Sequence, residues 1–240
     1  MRPFDVLVVG AGFAGSEVAY ALARAGWRVG LLTQSLDALF LPVTEVTDPP
    51  RPGTLFQEVY EEGLPPFLLH ARAKWRLEAR APNLHLFQAT AVGLAVEDGR
   101  AVGVASWEGP AYRAERVVLA VGTFLGARLR VGRIEEAAGR LGEAAYDDLF
   151  EDLKARGFAF AEAQQAAPPF RGAPGYRVRF FRFADGEWEA ESFRLPRLEN
   201  LYAVGACTTG GTSYARESAD GLRLAERLLG EGQDPPGQGA

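Results

Sequence analysis

The chain has 240 residues, a formal net charge of −5, 48% hydrophobic and 24% charged residues. That is the composition of one large globular domain, or one with an insertion, and it argues against a general nucleic-acid surface without excluding a local basic face. Cys207 is the one cysteine, so no internal disulfide or thiolate metal cluster can form within the chain.

No run approaches the roughly 18 apolar residues of a membrane span, and the apolar start leads into glycines instead of a cleavage site. The expectation is a cytoplasmic protein with no membrane contact. Asp5–Val9 predicts a buried strand, Gly10-Ala11-Gly12-Phe13-Ala14-Gly15 a turn, Ser16–Ala25 a helix, and Trp27–Thr33 the next strand. In such a unit Gly10 makes the tight turn, Gly12 admits a pyrophosphate to the backbone, and Gly15 lets the helix lie close on the strand. The helix start offers unpaired N–H groups and a positive dipole end to a phosphate. At the end of the second strand, where an acid usually takes the adenosine ribose, stand Thr33, Gln34 and Ser35. These make only neutral hydrogen bonds, which argues against NAD selectivity.

Asp48–Gly53 reads as a rigid connector, and Thr54 with Gln57 three residues on opens a short helix reaching Glu62. Phe67–Ala81 predicts a longer helix. Its series His70, Arg72, Lys74, Arg76 and Arg80 reads as a solvated face, the alternative being a site for phosphate or RNA backbone. Leu84–Phe87 is a strand, and Ala91–Glu97, Ala101–Trp107 and Tyr112–Arg113 form an antiparallel meander. Arg116–Thr123 returns as a buried parallel strand. An NAD dehydrogenase would continue with regular βα units; a meander here is the crossover of flavoproteins of the glutathione-reductase type.

Tyr146–Arg156, closed by Gly157, predicts a helix. Tyr176–Phe183 and Glu187–Phe193 predict a hairpin turning at Asp185-Gly186, with Phe180, Phe181, Phe183, Trp188 and Phe193 as its packing face. Leu201–Gly205 is a further strand, and Gly210-Gly211-Thr212 leads into a helix from Ser213 to Leu229 whose start would face the same ligand as the first helix. Residues 231–240 read as a disordered tail. The expected fold class is α/β: a Rossmann-like FAD-binding fold of glutathione-reductase type over residues 1–230, with a central parallel sheet, a meander crossover and a small α+β insertion at 124–199.

Asp5–Thr33, Asn83–Gln88 with the meander, Val117–Gly126 with its Gly-Thr-Phe-Leu-Gly end, Gly139–Glu143, and the closing Leu201–Gly205 unit with Gly211, Thr212, Tyr214, Glu217 and Gly221 together resemble the FAD-binding domain of the glucose-inhibited division protein A family, which modifies the wobble uridine of tRNA. The resemblance implies FAD bound in extended form. Gly10, Gly12, Phe13, Ala14 and Gly15 would take the pyrophosphate, and Thr33, Gln34 and Ser35 the adenosine ribose. Ala91 would meet adenine through its backbone, Gly122 and Thr123 would lie near the pyrophosphate and ribityl chain, and Gly205 and Ala206 near the isoalloxazine.

The departures from the family are specific. Phe40-Leu41-Pro42-Val43 stands where the family carries a redox cysteine, and Ala206 stands where it carries Gln. A second redox cysteine, a reductant domain and a helical tRNA-binding region are expected to be missing, and Cys207 reads as a buried structural thiol. No catalytic residue stands out. Three readings result: an FAD flavoprotein acting as an oxidoreductase component with a protein partner on tRNA or a small molecule, a non-catalytic FAD-dependent interaction module, and an NAD(P)-dependent dehydrogenase.

Overall fold

The computed structural model describes residues 3–231. β1 (Val6–Val9) passes through the glycine turn into α1 (Phe13–Arg24) and β2 (Val29–Thr33), followed by α2 (Leu55–Val59), α3 (Pro66–Ala79) and β3 (Leu84–Gln88). The meander is β4 (Ala91–Glu97), β5 (Arg100–Ser106) and β6 (Ala111–Arg113), after which β7 (Val117–Leu119) returns to the sheet. Next come β8 (Arg128–Val131), β9 (Ile134–Glu136), β10 (Ala138–Arg140), β11 (Glu143–Ala144), α4 (Asp147–Ala155), β12 (Phe160–Ala167) and β13 (Tyr176–Phe183). β14 (Leu201–Ala203), a short α5 (Ala206–Thr209) and α6 (Tyr214–Glu231) close the described chain.

The central sheet is parallel throughout, in the order β14-β7-β1-β2-β3. Both its faces are covered, which is why β1 reads as an unbroken apolar run. Val6 and Val8 pack with Val18 and Leu22 of α1, Phe56 of α2, Leu69 of α3 and Leu224 of α6. Leu7 and Val9 point the other way, into a core with Leu94 and Val104 of the meander and Leu149 and Leu153 of α4. α6 crosses α1 at Gly221, where a Cβ would lie 2.4 Å from the Ala14 carbonyl oxygen, so the helices pack backbone to backbone.

Thr54 Oγ1 accepts the Gln57 N–H at 3.0 Å and caps α2 as predicted, although the helix ends at Val59. On α3 the basic series is largely ion-paired: Lys74 with Asp37, Arg72 with Glu61 and Arg76 with Glu58. Arg80 lies over the Trp75 ring, and His70 Nδ1 meets the Leu39 carbonyl at 2.5 Å.

The predicted hairpin is wrong in its partner. β13 pairs along its whole length with β12, and on its other edge with β8, in the sheet β12-β13-β8-β9; residues 187–193 form no strand. Asp185-Gly186 does turn the chain, with Glu187 N–H donating to the Ala184 carbonyl at 3.0 Å. The segment after it, however, leaves for the main sheet. Its aromatics part accordingly: Phe180 and Phe183 are buried, Phe181 stacks on Phe150 at 4.7 Å, Trp188 packs on the meander core, and Phe193 enters the helical core. α6 runs through Glu231, which pairs with Arg194 and Arg227 and is no part of a tail; residues 232–240 of the predicted tail lie outside the described residues.

Candidate cofactor cleft

The cleft lies at the carboxyl ends of the parallel strands, where such sheets take ligands. β1 ends at Val9, and Gly10, at φ +100, turns the chain with its N–H on the Leu32 carbonyl at 2.8 Å. Ala11 O accepts both Ser16 Oγ at 3.1 Å and Phe40 N–H at 2.9 Å, which pins the turn. A Cβ on Gly15 would lie 1.9 Å from Gly10 O, whereas one on Gly12 would meet nothing within 4 Å. Gly15 is therefore required by packing, while Gly12 keeps a side chain out of the cleft. α1 starts with no side-chain cap and no acid in its first turn, leaving its N–H groups to a ligand.

The larger lobe of the cleft holds about 350 Å³ and is walled by Gly12, Phe13, Thr123, Tyr176, Ala206 and Glu217. A smaller lobe of about 70 Å³ runs over Gly10, Thr33, Gln34 and Tyr146. Gly12, Gly122, Phe124 and Arg140 line both, so the two lobes form one elongated site. Its larger end falls in the size range of ligand pockets.

Of the sequence-predicted residues, Gly10, Gly12, Phe13, Thr33, Gln34, Gly122, Thr123 and Ala206 line the cleft. Ala14 and Gly15 stand behind them in the first turn of α1. Gly205 caps α5 against the Ala14 methyl, so both glycine turns meet at the same place. Two residues are elsewhere: Ala91 is buried where β4 pairs with Ser106, and Ser35 accepts the Asp37 N–H to cap the turn 36–38. Neither lines the cleft.

Sequence reasoning passed over several wall residues. Arg140 bonds Glu143 through Nε at 2.5 Å, and its other nitrogens donate to Leu41 O at 3.2 Å and Ala38 O at 3.4 Å. Tyr214 stacks on Phe13 at 4.5 Å, and its hydroxyl accepts from Val43 N–H at 2.9 Å and Thr44 N–H at 3.1 Å. Residues 38–44, including the stretch without the expected cysteine, thus form a strap tied down from β10 and α6. The Gly139–Glu143 and Tyr214 blocks were visible as motifs, but their partners about 100 and 170 positions away were not.

Burial pushes the Glu217 carboxyl up to about 7, with Asp220 adding and the Thr212 N–H opposing. Burial likewise raises Tyr176 to about 12, with Arg140 pulling the other way, and lifts the Tyr146 phenol well above the tyrosine range. Cys207 is fully buried, raised to about 12 by burial, and shares its thiol between Leu119 O and Val204 O, both at 3.4 Å. Its burial is as expected from the sequence. No group of three or more metal-ligating side chains occurs among the described residues, and no described helix is long and apolar enough to cross a membrane.

A doubly covered parallel sheet, a glycine turn, a meander crossover and a cleft over the strand ends define a Rossmann-type flavoprotein fold of the FAD-binding class. The family model described as Glucose inhibited division protein A matches residues 5–60 and 69–173, and the chain belongs to that family. It is 34% identical over 199 residues to the tRNA uridine 5-carboxymethylaminomethyl modification enzyme MnmG of Chlamydia muridarum, covering 69% of this chain and 32% of that one. The chain therefore spans about a third of the length of the curated relatives it matches. Among solved structures it is similar to the GidA-related protein of Thermus thermophilus, at 53% identity and TM-score 0.89 over 96% of this chain and 100% of the other. Aquifex aeolicus GidA shares the fold, at 15% identity and TM-score 0.82 over 98% of this chain and 64% of that one.

Proposed function

We propose that this chain binds FAD in extended form along the cleft. The observation that carries the reading is the side-chain-free Gly12 at the junction of the two lobes, under the uncapped start of α1. Gln34 Nε2 is buried without a well-formed hydrogen bond, its side chain facing the Tyr146 phenol, and Gln34 lines the smaller lobe; an adenosine ribose would supply an acceptor. Gly10, Gly12, Phe13, Ala14 and Gly15 would hold the pyrophosphate through backbone N–H groups. Thr33 and Gln34 would take the ribose, Gly122 and Thr123 the ribityl chain, and Gly205 and Ala206 the isoalloxazine end; Ser35 and Ala91, which do not line the cleft, drop out of the set. Bound flavin would supply electron transfer, and Glu217 would offer a carboxyl that gains or loses its proton near neutrality.

Two finer assignments follow as proposals. The first is that the chain is a cytoplasmic oxidoreductase component, related to wobble-uridine modification, which works with a protein partner or on tRNA. The second is a non-catalytic FAD-dependent module, favoured by the burial of Cys207 and by a strap that carries no thiol at Phe40–Val43. An NAD(P) dehydrogenase is disfavoured by the neutral Thr33-Gln34-Ser35 and by the meander. Purified protein should carry flavin absorbance or acquire it on incubation with FAD; a sample that stays colourless would remove the cofactor reading. Turnover of NADH with an electron acceptor would separate the component from the module.

A further inference from the structure

Strands β8 and β13 set arginine against arginine. Their antiparallel register pairs Arg177 with Arg130 and Arg179 with Arg128, so four guanidinium side chains leave one face of the sheet, opposite the buried Leu129, Val178 and Phe180. Like charges directly opposed across a strand pair are destabilising. Two of the four are neutralised, Arg179 by Glu162 at 3.1 Å and Arg128 by Asp147 at 2.9 Å. The Arg177 side chain makes no ion pair or hydrogen bond among the described residues, and the Arg130 side chain has only the Gly132 carbonyl, 3.2 Å from its Nε. Glu135 stands opposite Arg130 on β9 without pairing to it. Both arginines are exposed.

Arg130 and Arg177 line one groove of about 620 Å³ that passes the loop end of the β12–β13 hairpin along Ala166, Ala167 and Gly175 to Tyr176. Ala166, Ala167 and Tyr176 also line the cleft, so groove and cleft share this part of the hairpin. The Tyr176 phenol, raised to about 12 by burial, stays protonated at neutral pH, and its hydroxyl has no hydrogen-bond partner among the described residues. Two adjacent unneutralised guanidinium forks match phosphate oxygens bidentately, and a neutral donor lies further along the same groove.

We infer that Arg130 and Arg177 form a phosphate subsite for an extended ligand that passes round the hairpin end, by Tyr176, into the cleft. A phosphate there would relieve the repulsion between the two strands and orient the ligand toward the larger lobe. The link to the cleft rests on the cofactor reading; phosphate binding at the two arginines does not, so the two fail separately.

The test uses the full chain with three probes: inorganic phosphate, AMP, and a short single-stranded RNA. Affinities are measured for the wild type, Arg130→Gln, Arg177→Gln, and, as a control, Arg100→Gln on β5 of the meander, an exposed arginine paired with Glu199 that lines neither the groove nor the cleft. Either subsite change should weaken a phosphate-bearing probe roughly tenfold or more, with the control unchanged. For RNA, the slope of log affinity against log salt should shrink by about 0.7 for each arginine removed. A loss with RNA alone would identify a polymer backbone as the source of the phosphate, and a loss with AMP as well a free nucleotide. No binding of any probe by the wild type would overturn the subsite, as would affinities that Arg130→Gln and Arg177→Gln leave unchanged. If phosphate binds and FAD does not, the subsite stands and the cofactor reading falls.

Discussion

The Glu17 carboxylate on α1 accepts the Ser218 hydroxyl of α6 at 2.5 Å, across 201 positions of chain. The same carboxylate accepts the Leu55 and Phe56 N–H groups, both at 2.8 Å, and so caps α2. One buried acid therefore holds together the three helices behind the cleft. Burial pushes its pKa from 4.5 up to about 7, against the three hydrogen bonds that favour its charge.

A carboxyl raised in this way holds its proton more tightly folded than unfolded. Its contribution to stability is full below pH 4.5 and is lost as pH rises through about 7. The shift corresponds to roughly 3 kcal/mol, and Glu217 acts in the same direction. Urea unfolding should show lower stability at pH 8 than at pH 5. Glu17→Gln should flatten that fall while lowering stability by about 1–3 kcal/mol at pH 5, because its amide turns a donor toward a backbone N–H. A wild type equally stable at both pH values would contradict this account of Glu17.

Gly12 and Gly15 should respond differently to the same added methyl. Gly12 has φ −71 and open space beside it, so Gly12→Ala should keep its stability within about 0.5 kcal/mol yet lose FAD affinity tenfold or more. Gly15→Ala drives a methyl into Gly10 O and should destabilise the whole fold. Thermal melts alongside FAD titrations would separate the two effects; equal melting losses would refute the division of roles.

Tyr214→Phe keeps the stack on Phe13 but removes the acceptor of the Val43 and Thr44 N–H groups. Stability should fall by about 1–3 kcal/mol, and flavin should dissociate faster as the strap loosens. Hydrogen exchange at residues 43 and 44 should rise; unchanged exchange would show that the hydroxyl does not hold the strap.

Cys207, raised to about 12 and fully buried, should resist thiol reagents in the native protein and react in urea. Rapid native labelling would show that the thiol reaches solvent.

The glycine turn, the Thr54 cap and the meander were legible because each is encoded within a few residues by turn, cap or alternation chemistry. β12 was not: Phe-Ala-Glu-Ala-Gln-Gln-Ala-Ala has little β-propensity and becomes a strand only by pairing with β13 across residues 168–175. The Asp185-Gly186 signal was read correctly as a turn and wrongly as a hairpin, because Phe193 serves another core. In the cleft, the turn glycines carry a spacing signature, whereas Arg140 and Tyr214 are defined by partners remote in sequence.

The most direct measurement is a titration of flavin-free protein with FAD and, separately, with FMN. An elongated site that grips the diphosphate at Gly12 and the ribose at Thr33 and Gln34 should bind FAD and bind FMN at least about a hundredfold more weakly. FMN binding as tight as FAD binding, or no binding of either, would contradict it.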